Sequence, residues 1–215
     1  MTDFCDRLEA VYTGALHDVM RAMGLTNFVL PPEILPLANG DKLAGPIYTV
    51  EGKSGTDLDA HETLLEWTGL LSKAPSGHVI ICQPNTHEVA LMGELSAETL
   101  KFKGIRGYIV DGGSRDVEFL LNMEFSTWCS FKTPKDIVGR WLPVSFNETI
   151  RIGDVDISGG DWVLADLDGI VILPKDKAEE IVAETERVIG TENKIRSAIF
   201  KGMDPQDAYL KWGKF

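Results

Sequence analysis

Tyr108-Ile109-Val110-Asp111-Gly112-Gly113-Ser114-Arg115-Asp116 decides how this chain is read. An apolar run breaks into two glycines and ends on an adjacent cation and carboxylate, the pattern of a strand that delivers reactive groups on a tight turn. Glycines permit positive φ and close approach of backbone to a ligand. Asp116 offers oxygen donors suited to a hard divalent cation, and the Arg115 guanidinium can grip a carboxylate through two parallel hydrogen bonds. These residue types suit a metal-bound organic anion. On the nine residues alone, an exposed turn carrying a neighbouring ion pair reads equally well.

Upstream, Gly93-Glu94-Leu95-Ser96 opens a segment whose residues 96–103 read as a helix ending at Gly104. Twenty residues separate Glu94 from Arg115. One helix of that length returns the chain to a following strand, so a carboxylate at the helix entrance lies beside the end of the strand's turn. The amides of Leu95 and Ser96 at that entrance are unpaired and carry the positive end of the helix dipole, which makes them a seat for a substrate carboxylate.

Gly93-Glu94, a twenty-residue spacer and Arg115-Asp116 resemble the Asp-x20-Arg-Asp signature of the 4-hydroxy-4-methyl-2-oxoglutarate/4-carboxy-4-hydroxy-2-oxoadipate aldolase family. The same superfamily includes the regulator of ribonuclease activity A, and its members were long labelled demethylmenaquinone methyltransferases. The similarity extends through residues 13–24 (TGALHDVMRAMG), 42–50 (KLAGPIYTV), 160–174 (GDWVLADLDGIVILP) and the tail 202–215. The departure is Glu94, where the signature has Asp; the added methylene leaves the carboxylate within reach of a water on a metal.

The resemblance implies an α/β chain with a three-layer β/β/α fold of the swivelling phosphohistidine-domain type, residues 1–215 forming one domain with a C-terminal helical tail. It implies a homotrimer or homohexamer and a divalent cation, Mg²⁺ or Mn²⁺. Asp116 holds the cation directly and Glu94 through water, joined by a glutamate from a neighbour's C-terminal region, for which Glu192 is the best match and Glu186 the second. The implied activity is that of a class II pyruvate aldolase acting on 4-hydroxy-2-oxo acids, with oxaloacetate decarboxylated through the same pyruvate enolate. Arg115, Asp116 and Glu94 are the catalytic candidates; Gly93, Leu95, Ser96 and Arg115 are the substrate-binding ones. The rival is a non-enzymatic protein inhibitor resembling the ribonuclease regulator. A carboxylate at 94 together with Arg115-Asp116 favours the enzyme.

Composition agrees with a small anionic substrate held by local charge. At 215 residues and 44% hydrophobic content the chain can bury a sizeable core. A net charge of −12 and the lack of a basic run oppose binding to nucleic acid. Cys5, Cys82 and Cys129 are odd in number and lack a C-x-x-C pair, so neither a disulfide framework nor a sulfur-rich zinc site is indicated. No secretion leader and no run of about 18 apolar residues is present, which makes a cytoplasmic location without membrane association the expectation.

Periodicity predicts a helix over 6–23, a strand over 43–50 and a helix from near Thr56 with Leu58, Leu64, Leu65, Trp67 and Leu71 on its buried face. Strands follow over 79–82 and 107–111, then a short helix over 117–123. A β-rich second half has strands over 127–131, 143–152, 155–157, 162–166 and 170–173. A last helix spans 176–200, with Gly190 a point where it can bend, and the apolar Ala208, Tyr209, Leu210 and Trp212 of the tail dock on a neighbour or on their own subunit. Asp166-Leu167-Asp168-Gly169 reads as a hairpin turn instead of a calcium loop. Asp111 is either a support for the metal ligand or a turn residue. The four histidines read as structural, His87 standing nearest the cleft, and Lys132 is the weak candidate for Schiff-base chemistry.

Overall fold

The computed structural model describes residues 2–40 and 42–213; Lys214 and Phe215, the end of the 202–215 tail, lie outside them. Its strands are β1 (Leu35–Pro36), β2 (Leu43–Ser54), β3 (Val79–Gln83), β4 (Gly107–Ser114), β5 (Thr127–Lys132), β6 (Trp141–Phe146), β7 (Ile150–Ile152), β8 (Val155–Ile157), β9 (Trp162–Asp166) and β10 (Gly169–Leu173). Its helices are α1 (Thr2–Ala10), α2 (Thr13–Ala22), α3 (Ala60–Lys73), α4 (Glu94–Phe102), α5 (Val117–Asn122), α6 (Ala178–Phe200) and α7 (Pro205–Trp212).

Parallel pairing of β2, β3, β4 and β5 follows from the helices α3, α4 and α5 that return the chain between them. The sheet runs in the order β1-β5-β4-β3-β2-β9-β10, with β6 also on β2. The long strand β2 serves three partners in turn: Leu43 faces Ala165 of β9, Ile47 faces Val79 of β3, and Ser54 faces Trp141 of β6.

Period-two alternation sorts the apolar side chains into layers. On one face of β3, β4 and β5, Ile80, Cys82, Tyr108, Val110 and Cys129 pack under α3, α4 and α5. On the other, Val79, Ile81, Ile109 and Trp128 meet Val163, Ala165, Ile170 and Ile172 of β9 and β10 and the β7–β8 hairpin. This is the β/β/α arrangement the resemblance implies. The outward residues Leu164, Val171 and Leu173 are covered in turn by α1, α2 and α6. Among the described residues no helix is long and apolar enough to cross a membrane.

Several expectations change. The single helix over 6–23 is two, separated at an extended Tyr12 (φ −132°, ψ 157°); Leu8 and Leu16 reach one apolar cluster from both, so the periodicity survives the break. The helix from near Thr56 begins at Ala60, because the Asp59 carboxylate accepts the Glu62 amide at 2.8 Å and caps it there. Its Leu64 and Leu65 are exposed and Leu58 is only half-buried. The strand over 143–152 is β6 and β7, divided at Asn147 with φ 62°. The four residues 166–169 do form the hairpin turn, with Asp166 opposite Gly169 and the Asp166 carboxylate taking the amide and hydroxyl of Thr13. Helix α6 passes through Gly190 without interruption.

Candidate active site

The glycines of the 108–116 run are strand, not turn. Strand β4 continues through Gly112 and Gly113 to Ser114, and neither glycine has positive φ. Close approach is their role: a Cβ on Gly113 would stand 2.6 Å from the Val89 carbonyl oxygen and 2.7 Å from the Phe131 ring. That contact admits the preceding loop beside the strand end. Leu91 N–H donates to the Gly113 carbonyl at 2.8 Å, and Arg115 N–H donates to the Met92 carbonyl at 2.9 Å. Two residues further along each segment, Gly93-Glu94 and Arg115-Asp116 are thereby brought face to face.

The turn itself is made by Asp116, in the left-handed region at φ 52°, ψ 36°. Its backbone carbonyl accepts from Phe119 and Leu120 at the start of α5, while its carboxylate does not cap that helix. The carboxylate turns to α4, where Oδ2 accepts the Glu94 amide at 3.1 Å; Arg115 Nε lies 3.4 Å from the same oxygen. A Cβ on Gly93 would sit 2.7 Å from that Oδ2 and 3.1 Å from Arg115 Nε, so any larger residue would have to displace one of these side chains. The Arg115 and Asp116 side chains are 40% and 37% exposed.

Helix α4 starts two residues earlier than residues 96–103 suggest, making Glu94 its first helical residue and Gly93 its cap. Its ladder opens with Ala97 N–H on the Gly93 carbonyl, leaving the Leu95 and Ser96 amides directed past the helix end. The predicted catalytic and carboxylate-binding residues therefore meet at one place. They line a cavity of about 340 Å³ together with side chains that sequence reading did not assign to it: Trp67 and Leu71 of α3, and Asp136, Ile137 and Val138 from the loop before β6. Trp67 Nε1 donates to Ser96 Oγ at 2.9 Å, fixing the first turn of α4 against α3. The helical spacing of Trp67 and Leu71 marked them as buried, but spacing cannot reveal that the core ends there in an opening.

Among the described residues no three His, Cys, Asp or Glu side chains gather as a metal cluster. Asp116 and Glu94 supply two carboxylates at one rim, and no histidine or thiol lines the cavity. Such a hard oxygen set fits Mg²⁺ or Mn²⁺ better than zinc, and one protomer leaves coordination positions for water, substrate or another subunit. Glu192 and Glu186 lie on α6, which packs against α2 beyond β9 and β10, while Asp116 follows β4. Glu186 is engaged by Arg7, whose Nε and Nη2 donate to it at 3.0 and 2.9 Å and hold its carboxyl below the ordinary value. Glu192 accepts from the Tyr12 hydroxyl at 2.8 Å.

The remaining candidates lie elsewhere. Asp111 Oδ1 accepts from Ser130 Oγ and is paired with His87 Nε2, both at 3.0 Å, and none of the three lines the cavity. Lys132 is an exposed strand end, and His78 bonds within its own turn to the Ser76 carbonyl. Burial pushes the Cys82 thiol up to about 12, removing it as a nucleophile near neutrality.

A family model described as Aldolase/RraA matches residues 13–172. Over 213 residues the chain is 27% identical to a Halalkalibacterium halodurans protein named "Putative 4-hydroxy-4-methyl-2-oxoglutarate aldolase", covering 97% of this chain and 94% of that protein. It is also 27% identical to Protein DlpA of Legionella pneumophila, over 97% of this chain but only 33% of DlpA, so it spans about a third of that relative. The structure of Streptomyces coelicolor RraAS2, described as an unusual member of the RNase ES inhibitor RraA protein family, shares the fold with a TM-score of 0.82 at 24% identity, over 91% of this chain and 98% of that one. Glu192 lies beyond the residues that the family model matches.

Proposed function

Because the chain belongs to the Aldolase/RraA family, we propose that it is a divalent-metal-dependent carbon–carbon lyase that releases pyruvate from 4-hydroxy-2-oxo acids. The observation that carries this reading is the Asp116 carboxylate drawn across to the Glu94 amide beside Arg115, over a glycine where a Cβ would crowd both side chains. Asp116 would hold Mg²⁺ or Mn²⁺ directly, with Glu94 and Glu192 of a neighbouring subunit supporting it through water. When bound, the cation supplies Lewis-acid stabilisation of the negative charge that develops on the 2-keto oxygen.

The chain's own groups perform the rest. Arg115 takes the substrate carboxylate or keto oxygen, and the Leu95 and Ser96 amides seat the carboxylate at the positive end of α4. The hydrogen bond from Glu94 orients the Asp116 carboxylate, and the bond from Trp67 to Ser96 keeps the helix entrance from drifting. Retro-aldol cleavage and loss of CO₂ from oxaloacetate both produce the pyruvate enolate, so the same groups serve both reactions.

Pyruvate release from 4-hydroxy-2-oxo acids and from oxaloacetate, measured with Mg²⁺ or Mn²⁺ and again in excess EDTA, tests the proposal. Turnover that chelation abolishes supports it, and a full rate in EDTA removes the metal from the mechanism. No pyruvate from any substrate shifts the reading to a protein inhibitor of the RraA kind.

A further inference from the structure

Ser96 lies in the first turn of α4 and lines the cavity with its hydroxyl oxygen already used as an acceptor. An indole nitrogen only donates, so the 2.9 Å contact from Trp67 Nε1 to Ser96 Oγ runs one way. The indole is held in place. Trp67 is 7% exposed and stands edge-on to Trp141, with 6.0 Å between ring centroids, and Trp141 Nε1 is tied to the Pro84 carbonyl at 2.8 Å. The Ser96 proton must therefore leave the oxygen on another side.

The carbonyls just before Ser96 are taken. Met92 O accepts from Arg115 N–H at 2.9 Å and from Ser114 Oγ at 3.4 Å, and Gly93 O accepts from Ala97 N–H at 3.0 Å. Thr99, in the same helix, returns its hydroxyl proton to the Leu95 carbonyl at 2.8 Å, whereas the Ser96 proton meets no acceptor among the described residues. Helical side chains lean toward the N-terminus, which places this hydroxyl at the same helix entrance as the Leu95 and Ser96 amides.

Resting on the lyase reading, we infer that the Ser96 hydroxyl is a third donor to the substrate's C1 carboxylate beside those two amides, and that Trp67 is a positioning residue that aims it. Accepting from the indole turns the hydroxyl proton toward the cavity and strengthens it as a donor. The bond is neutral to anionic, with no proton transferred, so it contributes to binding of the acid before and after carbon–carbon cleavage alike.

The test titrates pyruvate into the full chain with Mg²⁺ by calorimetry and compares KM with kcat for pyruvate release. Ser96→Ala should weaken pyruvate binding about tenfold and raise KM by a similar factor, with kcat within about twofold, because the contact is made equally in ground and transition states. Ser96→Thr, which keeps a hydroxyl, should recover most of the loss. Trp67→Phe should act in the same direction by about threefold, and should add nothing further to Ser96→Ala. In the ¹H–¹⁵N spectrum, pyruvate should shift the Trp67 indole N–H signal, identified by its loss in Trp67→Phe, and saturating pyruvate should not shift it in Ser96→Ala. Cleavage that persists with pyruvate affinity unchanged in Ser96→Ala would overturn the inference and leave the lyase intact. If that variant instead loosens the assembly in native mass spectrometry at unchanged pyruvate affinity, the proton belongs to a neighbouring subunit's acceptor and the inference is equally overturned. Additive losses in the double variant would remove the positioning role of Trp67. If no acid is cleaved but pyruvate binding depends on Ser96, the lyase reading fails and the contact stands. Neither cleavage nor pyruvate binding overturns both.

Discussion

The Asp116 carboxylate and the Glu94 amide, 22 positions apart in sequence, are joined by a 3.1 Å hydrogen bond that fixes the entrance of α4 to the end of β4. Asp116→Asn keeps an acceptor oxygen for that amide, and asparagine tolerates the left-handed backbone found at 116. The substitution should leave thermal stability within about 0.5 kcal/mol of wild type. It should lower kcat/KM by at least about a hundredfold, because it removes the charge assigned to the cation. Asp116→Ala should lose a further ~1 kcal/mol of stability from the strained φ. Near-normal kcat/KM for Asp116→Asn at saturating metal would contradict the assignment.

Gly93→Ala tests the cradle. With φ −153° and ψ 178°, position 93 is extended backbone that any residue adopts, so the effect is one of space. The new methyl must displace the Asp116 oxygen or the Arg115 guanidinium. Overpacking of this kind costs about 1–3 kcal/mol. A drop of about tenfold or more in kcat/KM is expected with an unchanged circular dichroism spectrum, and unaltered kinetics would show that the cradle is slack.

The pair Glu94 and Arg115-Asp116 was legible because one helix and one strand fix the geometry of a twenty-residue spacer. Strands β3, β4, β9 and β10 were legible for a similar reason, since apolar runs bounded by turn residues leave few alternatives. What escaped depended on competition between neighbours. Asp59 caps α3 three residues or more after a turn-rich Thr56 suggests a start, and Val11-Tyr12 interrupts a helical periodicity that remains intact on either side. The cavity's second wall, Asp136 to Val138, lies in a loop whose position is set by tertiary contacts such as Ala90 N–H on the Lys135 carbonyl. No local pattern encodes that contact.

The three cysteines should be silent in the native protein. All are buried, and burial raises each thiol, Cys82 to about 12 and Cys129 to about 11. At pH 8, DTNB should label none of them within minutes and all three after addition of denaturant. Rapid native labelling at Cys82 would mean that β3 opens under native conditions, contrary to its place between β2 and β4.

Arg7 ties α1 to α6 through Glu186 and Glu179, and the arginine's hydrogen bonds depress the Glu186 carboxyl. A depressed folded-state value means that the stabilisation is present above the unfolded carboxylate range and is lost as pH falls through the folded value. Both partners are partly exposed, so solvent screening limits the contribution to less than about 1 kcal/mol. The melting temperature of Glu186→Gln should therefore lie slightly below wild type at pH 7, with the gap closing as the solution is acidified toward pH 3. A gap that widens with acidification would reverse the sign argued for this pair.

Of the two C-terminal glutamates that the resemblance points to, Glu186 is engaged by Arg7, and Glu192 within its own chain meets the Tyr12 hydroxyl on the far side of β9 and β10 from Asp116. If it supports the cation, it must do so in another copy. Glu192→Ala should then lower kcat/KM by about 10–100-fold, the usual loss for a group acting on a metal through water. Tyr12→Phe, which removes only the partner within the chain, should be far milder. Mixing inactive Asp116→Asn subunits with impaired Glu192→Ala subunits under exchange conditions should restore activity, because one interface then combines an intact Asp116 from one chain with an intact Glu192 from the other. Mixed oligomers confirmed by native mass spectrometry that show no gain, or equal losses in Glu192→Ala and Tyr12→Phe, would confine Glu192 to holding α2 against α6.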